Sequence, residues 1–157
     1  MHKENCIFCL IAKEQAPSHQ IWSDENHIAF LSIFPNTEGF TVVIPKNHHG
    51  SYAFDQDNQV LKDLIVATKK AAKILDNYFD DTSRTGMFFE GFGVDHLHAK
   101  LFPMHGTGNM DEWQAIESKK NTTYYEKYPG FLSSNDSLPA DNKKLAELAD
   151  KIRQSQN

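Results

Sequence analysis

The chain has 157 residues, 24% charged and 39% apolar, with a formal net charge of −5, so it has the length and composition of one globular domain that buries a core without disulfides. An acidic balance argues against nucleic acid as a partner, because binding that backbone needs a basic face; a small anion in a local site stays compatible. With no apolar run near the ~20 residues that span a bilayer, and no signal-peptide core in the polar opening, the expectation is a cytoplasmic protein with no membrane partner.

Taken in chain order, Asn5 is placed to cap a short helix over residues 6–13, which Ala16-Pro17-Ser18 would end. Residues 20–22 and 27–33 read as two strands joined by Ser23-Asp24-Glu25-Asn26, whose side chains bond their own backbone and so favour a turn. After the break at residues 35–39, residues 40–44 form a β-branched run with high strand propensity, ended by Pro45 and the polar loop Lys46-Asn47-His48-His49-Gly50.

The longest helix is predicted over residues 57–79. Val60, Leu61, Leu64, Ile65, Ala71, Ala72, Leu75, Tyr78 and Phe79 recur at helical period, leaving Lys62, Asp63, Lys69, Lys70 and Lys73 on a solvated face. Residues 86–90 and 96–103 read as an antiparallel strand pair, since the link between them is too short for a helix. Beyond residue 108 the composition becomes polar and turn-rich, with Trp113, Tyr124, Tyr125, Tyr128 and Phe131 as anchors, and residues 140–154 carry Leu145, Leu148, Ala149 and Ile152 on one helical stripe. The expected fold class is α+β: an antiparallel sheet of about five strands, one long helix, and a helical carboxyl-terminal extension. Residues 1–110 would form the main domain, with residues 111–157 packed on it.

The chemistry-bearing residues fall in three places. In an extended strand alternate side chains share a face, so His96, His98 and Lys100 point one way and Leu97, Ala99 and Leu101 the other. Two imidazoles and an ammonium suit a phosphate. Cys6 and Cys9 form a C-x-x-C pair, which is either half of a metal site or a redox pair. The redox motif needs a strand ahead of it, and only five residues precede Cys6, so metal is favoured. One histidine of the His48/His49 pair and His96 would complete a tetrahedral zinc site of structural type, with no open position to activate water. Two buried thiols near unrelated histidines are the plainer alternative.

His96-Leu97-His98-Ala99-Lys100-Leu101-Phe102 resembles the signature of the histidine triad (HIT) family, His-φ-His-φ-His-φ-φ with φ apolar, except that Lys100 stands for the third histidine. The opening Cys6-Ile-Phe-Cys9-Leu-Ile-Ala-Lys-Glu is similar to the family's zinc-bearing amino terminus. Ala29-Phe30-Leu31 through Gly39-Phe40-Thr41-Val42-Val43-Ile44-Pro45-Lys46 is similar to its central hairpin. The likeness runs from about Cys6 to His105. It implies a HIT-like fold for residues 1–110, a homodimer, zinc held by Cys6, Cys9, His48 and His96, and a small-molecule nucleotide as partner.

Carried over residue by residue, the resemblance makes His98 the nucleophile that attacks an α-phosphorus, in a nucleotide hydrolase or nucleotidyl transferase of the phosphoramidate or dinucleoside polyphosphate class. Lys100 would stabilise phosphate charge, aided by His105, and Gly91 and Gly93 would let backbone amides approach the phosphate. Two departures matter. Gly91-Phe92-Gly93-Val94 supplies neither the glutamine nor the serine that the family places before its first histidine, and Ser32 stands where an aspartate binds ribose hydroxyls. Ile21, Trp22 and Phe34 are candidates to stack a purine, each equally explained as core. A binding or scaffold module with little turnover is the alternative class.

Overall fold

The β-branched run predicted as a strand becomes the centre of the sheet. This computed structural model describes residues 3, 5–108 and 126–127. Its strands are β1 (His19–Ser23), β2 (His27–Leu31), β3 (Thr41–Pro45), β4 (Thr85–Phe88) and β5 (Ala99–Pro103), in the order β1-β2-β3-β5-β4, each neighbour antiparallel. Every residue of β3 is buried, as befits a middle strand covered on both faces. Helix α1 spans Ile7–Ala12 and α2 spans Asn58–Tyr78, with a 3-10 turn at Ala53–Asp55 that the sequence reading did not anticipate.

The pleat sorts the apolar residues into two layers. On one face Ala29, Val43, Leu97 and Leu101 pack against Leu64, Ala67, Ala71 and Leu75 of α2. On the other, Ile28, Phe30, Val42 and Ile44 pack against Ile11, with Phe8 at the margin, so the short helix α1 covers that face. Removing one of the fully buried leucines, such as Leu64, would cost about 2–5 kcal/mol in lost burial and cavity formation. The buried stripe of α2 also includes Thr68, whose hydroxyl donates to the Leu64 carbonyl at 2.7 Å and so enters the core satisfied. Ile65 and Tyr78, expected on that stripe, are instead 41% and 75% exposed.

Two local expectations are corrected. Asn5 does not cap α1: Cys6 occupies the cap position, with no side-chain cap bond, and its amide donates to the Lys3 carbonyl at 3.2 Å. The strand predicted from residue 96 begins only at Ala99. Continuing the β3–β5 register would set Leu97 opposite Pro45, which has no N–H to give, and the Leu97 amide donates instead to the His49 carbonyl at 2.8 Å. His96 to His98 are thus pinned to the loop after β3.

The described residues up to 108 belong to one compact unit, Met1–Trp113. The predicted helix over residues 140–154 and the aromatic anchors from Trp113 to Phe131 lie outside the described residues. Among the described residues, no helix is long and apolar enough to cross a membrane.

Candidate metal and phosphate site

Helix α1 begins at a cysteine for a reason that its capping does not supply. Cys6 and Cys9 are buried, one at the cap and one within the first turn, so both sulfurs turn toward the segment after β3 and the approach to β5. There Cys6, Cys9, His48 and His96 bring one ligand atom each to within 4.8 Å of one another. Cys6 Sγ lies 3.5 Å from His96 Nδ1, Cys9 Sγ 3.6 Å from the same atom and 3.5 Å from His48 Nδ1. A tetrahedron with metal–sulfur and metal–nitrogen bonds of zinc length has sulfur–nitrogen edges of about 3.6 Å, so these three sulfur–nitrogen separations match those a bound zinc would set.

The surroundings support the same assignment. His96 Nε2 donates to the Pro45 carbonyl at 2.9 Å, which fixes the tautomer with the Nδ1 lone pair facing the sulfurs. Burial pushes the His96 pKa down to about 4, so the ring is neutral and able to ligate. Burial also raises the Cys6 thiol, an unfavourable state for a thiolate that a divalent cation would reverse. The Lys3 amide points at Cys9 Sγ at 3.5 Å, and Lys3 Nζ pairs with Asp95 at 2.8 Å across the same opening. Of the two adjacent histidines, His48 supplies its ring; His49 supplies only its carbonyl, to Leu97.

His98 follows His96 on the α1 face. Its Nδ1–H donates to the His96 carbonyl at 2.7 Å, which leaves Nε2 as the nitrogen with the lone pair. His98 is 3% exposed and its ring meets the Phe8 ring edge-on, with centroids 5.5 Å apart, while the Phe8 and His96 ring centroids are 5.9 Å apart. Burial is the main cause that lowers the His98 pKa; the bond to the His96 carbonyl opposes it, the Lys100 charge adds to it and the Glu90 charge opposes it, and the net shift is downward, which favours the neutral imidazole.

Lys100 lies on the same face, beside Val42 of β3 and opposite Phe88 of β4. Its ammonium is bound to the Glu90 carboxylate and sits 5.7 Å from the Phe88 ring centroid. Gly91 and Gly93, in the loop between, both adopt left-handed backbone, φ 70° and 88°, which is what requires glycine there. Ser32 extends the Ile28–Phe30 row past β2: its amide donates to the Phe40 carbonyl at 2.9 Å and its hydroxyl accepts from the Phe34 amide at 3.1 Å. His105 stands apart, beyond the far end of β5, with Nδ1 donating to Asp81 at 2.9 Å and Nε2 near the Glu38 carbonyl at 3.1 Å. Ile21 and Trp22 pack on the α2 side of the sheet, away from His98, and Phe34 is 86% exposed.

Sequence reasoning missed Glu90 and Phe8. Glu90 had a readable signal, since the β4–β5 hairpin places it diagonally across from Lys100. Phe8 had none beyond helical spacing.

An antiparallel five-stranded sheet with one long helix, carrying a Cys2His2 cluster next to an oriented, neutral histidine, defines a small α+β domain of the HIT type. The HIT domain family matches residues 13–107, and the chain belongs to that family. Among its relatives, "Protein hit" of Bacillus subtilis is 33% identical over 110 residues, covering 68% of this chain and 75% of that protein. The adenosine 5'-monophosphoramidase HNT1 of Saccharomyces cerevisiae is 33% identical over 117 residues, 72% of each chain. A HIT family structure from Bacillus subtilis superposes with a TM-score of 0.63 at 26% identity, covering 96% of both chains. A zinc-bound histidine triad family protein from Mycobacterium smegmatis shares the fold, with a TM-score of 0.61 at 23% identity over 72% of this chain and 84% of that one.

Proposed function

We propose that the chain acts at the α-phosphate of a nucleotide, with phosphoramidates as the leading substrate class and His98 as the nucleophile. The observation that carries this reading is the orientation of His98: a buried neutral ring whose Nδ1–H is bound to the His96 carbonyl, so that Nε2 presents its lone pair on the face shared with Lys100. Nε2 would attack phosphorus while the P–N bond breaks, its electron pair and a proton from water leaving with the amine and hydroxide remaining. That hydroxide then attacks the nucleotidyl-imidazole, the P–N bond to His98 breaks, and nucleoside monophosphate is released with neutral His98 restored. The monophosphoramidase named among the relatives supports this class.

Cys6, Cys9, His48 and His96 would hold zinc as a closed structural centre. Bound there, zinc supplies cross-linking, fastening α1 to the segments on either side of it. The chain would act as a homodimer. Tyr52, Phe54, Ile65, Val66 and Tyr78 are exposed large apolar residues on and beside α2, and among the described residues β4 is an edge strand with Met87 43% exposed. Light scattering of the eluting protein tests that mass.

Turnover of an adenosine 5'-phosphoramidate is the functional test: wild type should hydrolyse it, and His98→Ala should not while still binding adenosine monophosphate. One observation favours a second reading, a nucleotide-binding module of low turnover. Lys100 is already ion-paired with Glu90, so much of its charge is compensated before a phosphate arrives. Binding without turnover in wild type would establish that reading.

A further inference from the structure

The cation of this site carries a resident anion. Lys100 Nζ is bound to Glu90 Oε2, and the two side chains are 25% and 11% exposed, so the pair is shielded from water more than a surface ion pair would be. Glu90 comes just after β4, two residues past the Phe88 that faces Lys100, and His98 comes just before β5. Val42, the β3 neighbour of Lys100, belongs to the α1-side layer with Phe8, whose ring touches His98. His98, Lys100 and Glu90 therefore share one half-buried corner of the sheet.

A phosphate entering that corner meets a carboxylate as well as an ammonium. We propose that Glu90 makes the site select phosphoryl groups bearing one negative charge over dianionic nucleoside monophosphates. The inference rests on the proposed function only for placing phosphorus beside His98. Lys100 and Glu90 cancel, so a singly charged phosphoryl oxygen can share the ammonium, while a second negative charge is repelled by the carboxylate at short range in a poorly screened setting. The selection fits the chemistry of the site. A phosphoramidate has one ionised oxygen at phosphorus, whereas the monophosphate released by hydrolysis has a second ionisation near pH 6 and is mainly a dianion at neutral pH. Glu90 would thus disfavour product more than substrate and hasten release.

The test is calorimetric titration at about pH 7.5 with two non-reacting probes, adenosine 5'-monophosphate and its 5'-methyl phosphodiester, on wild type, Glu90→Gln and Glu90→Asp. Wild type should bind the diester at least as tightly as the monophosphate. Glu90→Gln should gain roughly tenfold for the monophosphate and little for the diester, as expected for removing one charge a few ångströms away. Glu90→Asp, which keeps the charge, should retain the wild-type ratio. An unchanged ratio in Glu90→Gln would overturn the proposal. So would a tenfold wild-type preference for the monophosphate, which needs no folded variant, or binding of neither probe by wild type. Charge-selective binding with no phosphoramidate turnover would instead defeat the proposed function and leave this inference standing.

Discussion

His98 Nδ1 donates its proton to the carbonyl oxygen of His96 at 2.7 Å, so the candidate nucleophile is oriented by the backbone of a metal ligand. The ring of His96 turns into the Cys6–Cys9–His48 cluster while its carbonyl turns the other way, to His98. Order in the metal cluster and orientation of the His98 ring are therefore one structural matter.

Metal loss should accordingly lower both stability and turnover. Protein purified without chelator is expected to hold near-stoichiometric zinc by elemental analysis, and Cys9→Ser to hold none. At free zinc a thousandfold above its dissociation constant the ion contributes about 4 kcal/mol, which corresponds to roughly 10 °C in Tm for a domain of this size. A metal-free native protein that melts with wild type would count against the site.

The far end of β5 should respond to pH independently of the site. The hydrogen bond to Asp81, followed by that to the Glu38 carbonyl, raises the His105 pKa, while His105 lowers that of Asp81. A raised histidine pKa means stabilisation that is fully present below the unfolded value of about 6.5 and is lost as pH rises through the higher folded value. On the acid side, the Asp81 contribution is present above about 3.8 and is lost as pH falls through its lower folded value. Thermal melts of wild type and His105→Gln should differ most near pH 5–6 and converge toward pH 8; a constant difference across that range would contradict the pairing.

Ser32 should make the ribose count for little. A carboxylate accepting both ribose hydroxyls gains ~1.5–3 kcal/mol per charge-assisted bond, whereas a neutral hydroxyl contact is nearer ~1, and the Ser32 hydroxyl already accepts from the Phe34 amide. Comparing ribo- with 2',3'-dideoxyadenosine phosphoramidates, we expect less than about a tenfold difference in kcat/KM, equivalent to ~1.4 kcal/mol, and a larger one in Ser32→Asp. A hundredfold wild-type preference would mean another group holds the sugar.

What the sequence made legible follows from which interactions are local. Alternation placed Leu97 and Leu101 on the face opposite His98, and helical period found α2, because both patterns record burial against a single layer. The ligand set Cys6, Cys9, His48 and His96 was readable from residue type and family resemblance together; type alone left His48 and His49 equivalent, and only the fold turns one ring inward. The start of β5 was misjudged because strand propensity does not register that Pro45, a β3 neighbour distant in sequence, has no amide for Leu97. Glu90 was overlooked since a carboxylate at a strand end ordinarily faces water, and its role depends on the partner across the hairpin.

As the nucleophile at the α-phosphorus, His98 would carry the nucleotidyl group during turnover. Rapid quenching of wild type during turnover of adenosine 5'-phosphoramidate, followed by intact-protein mass spectrometry, should show a fraction of chains carrying one adenylyl group, absent from His98→Ala along with turnover. Equal turnover by wild type and His98→Ala, or an adduct that persists in the variant, would exclude His98 as the nucleophile.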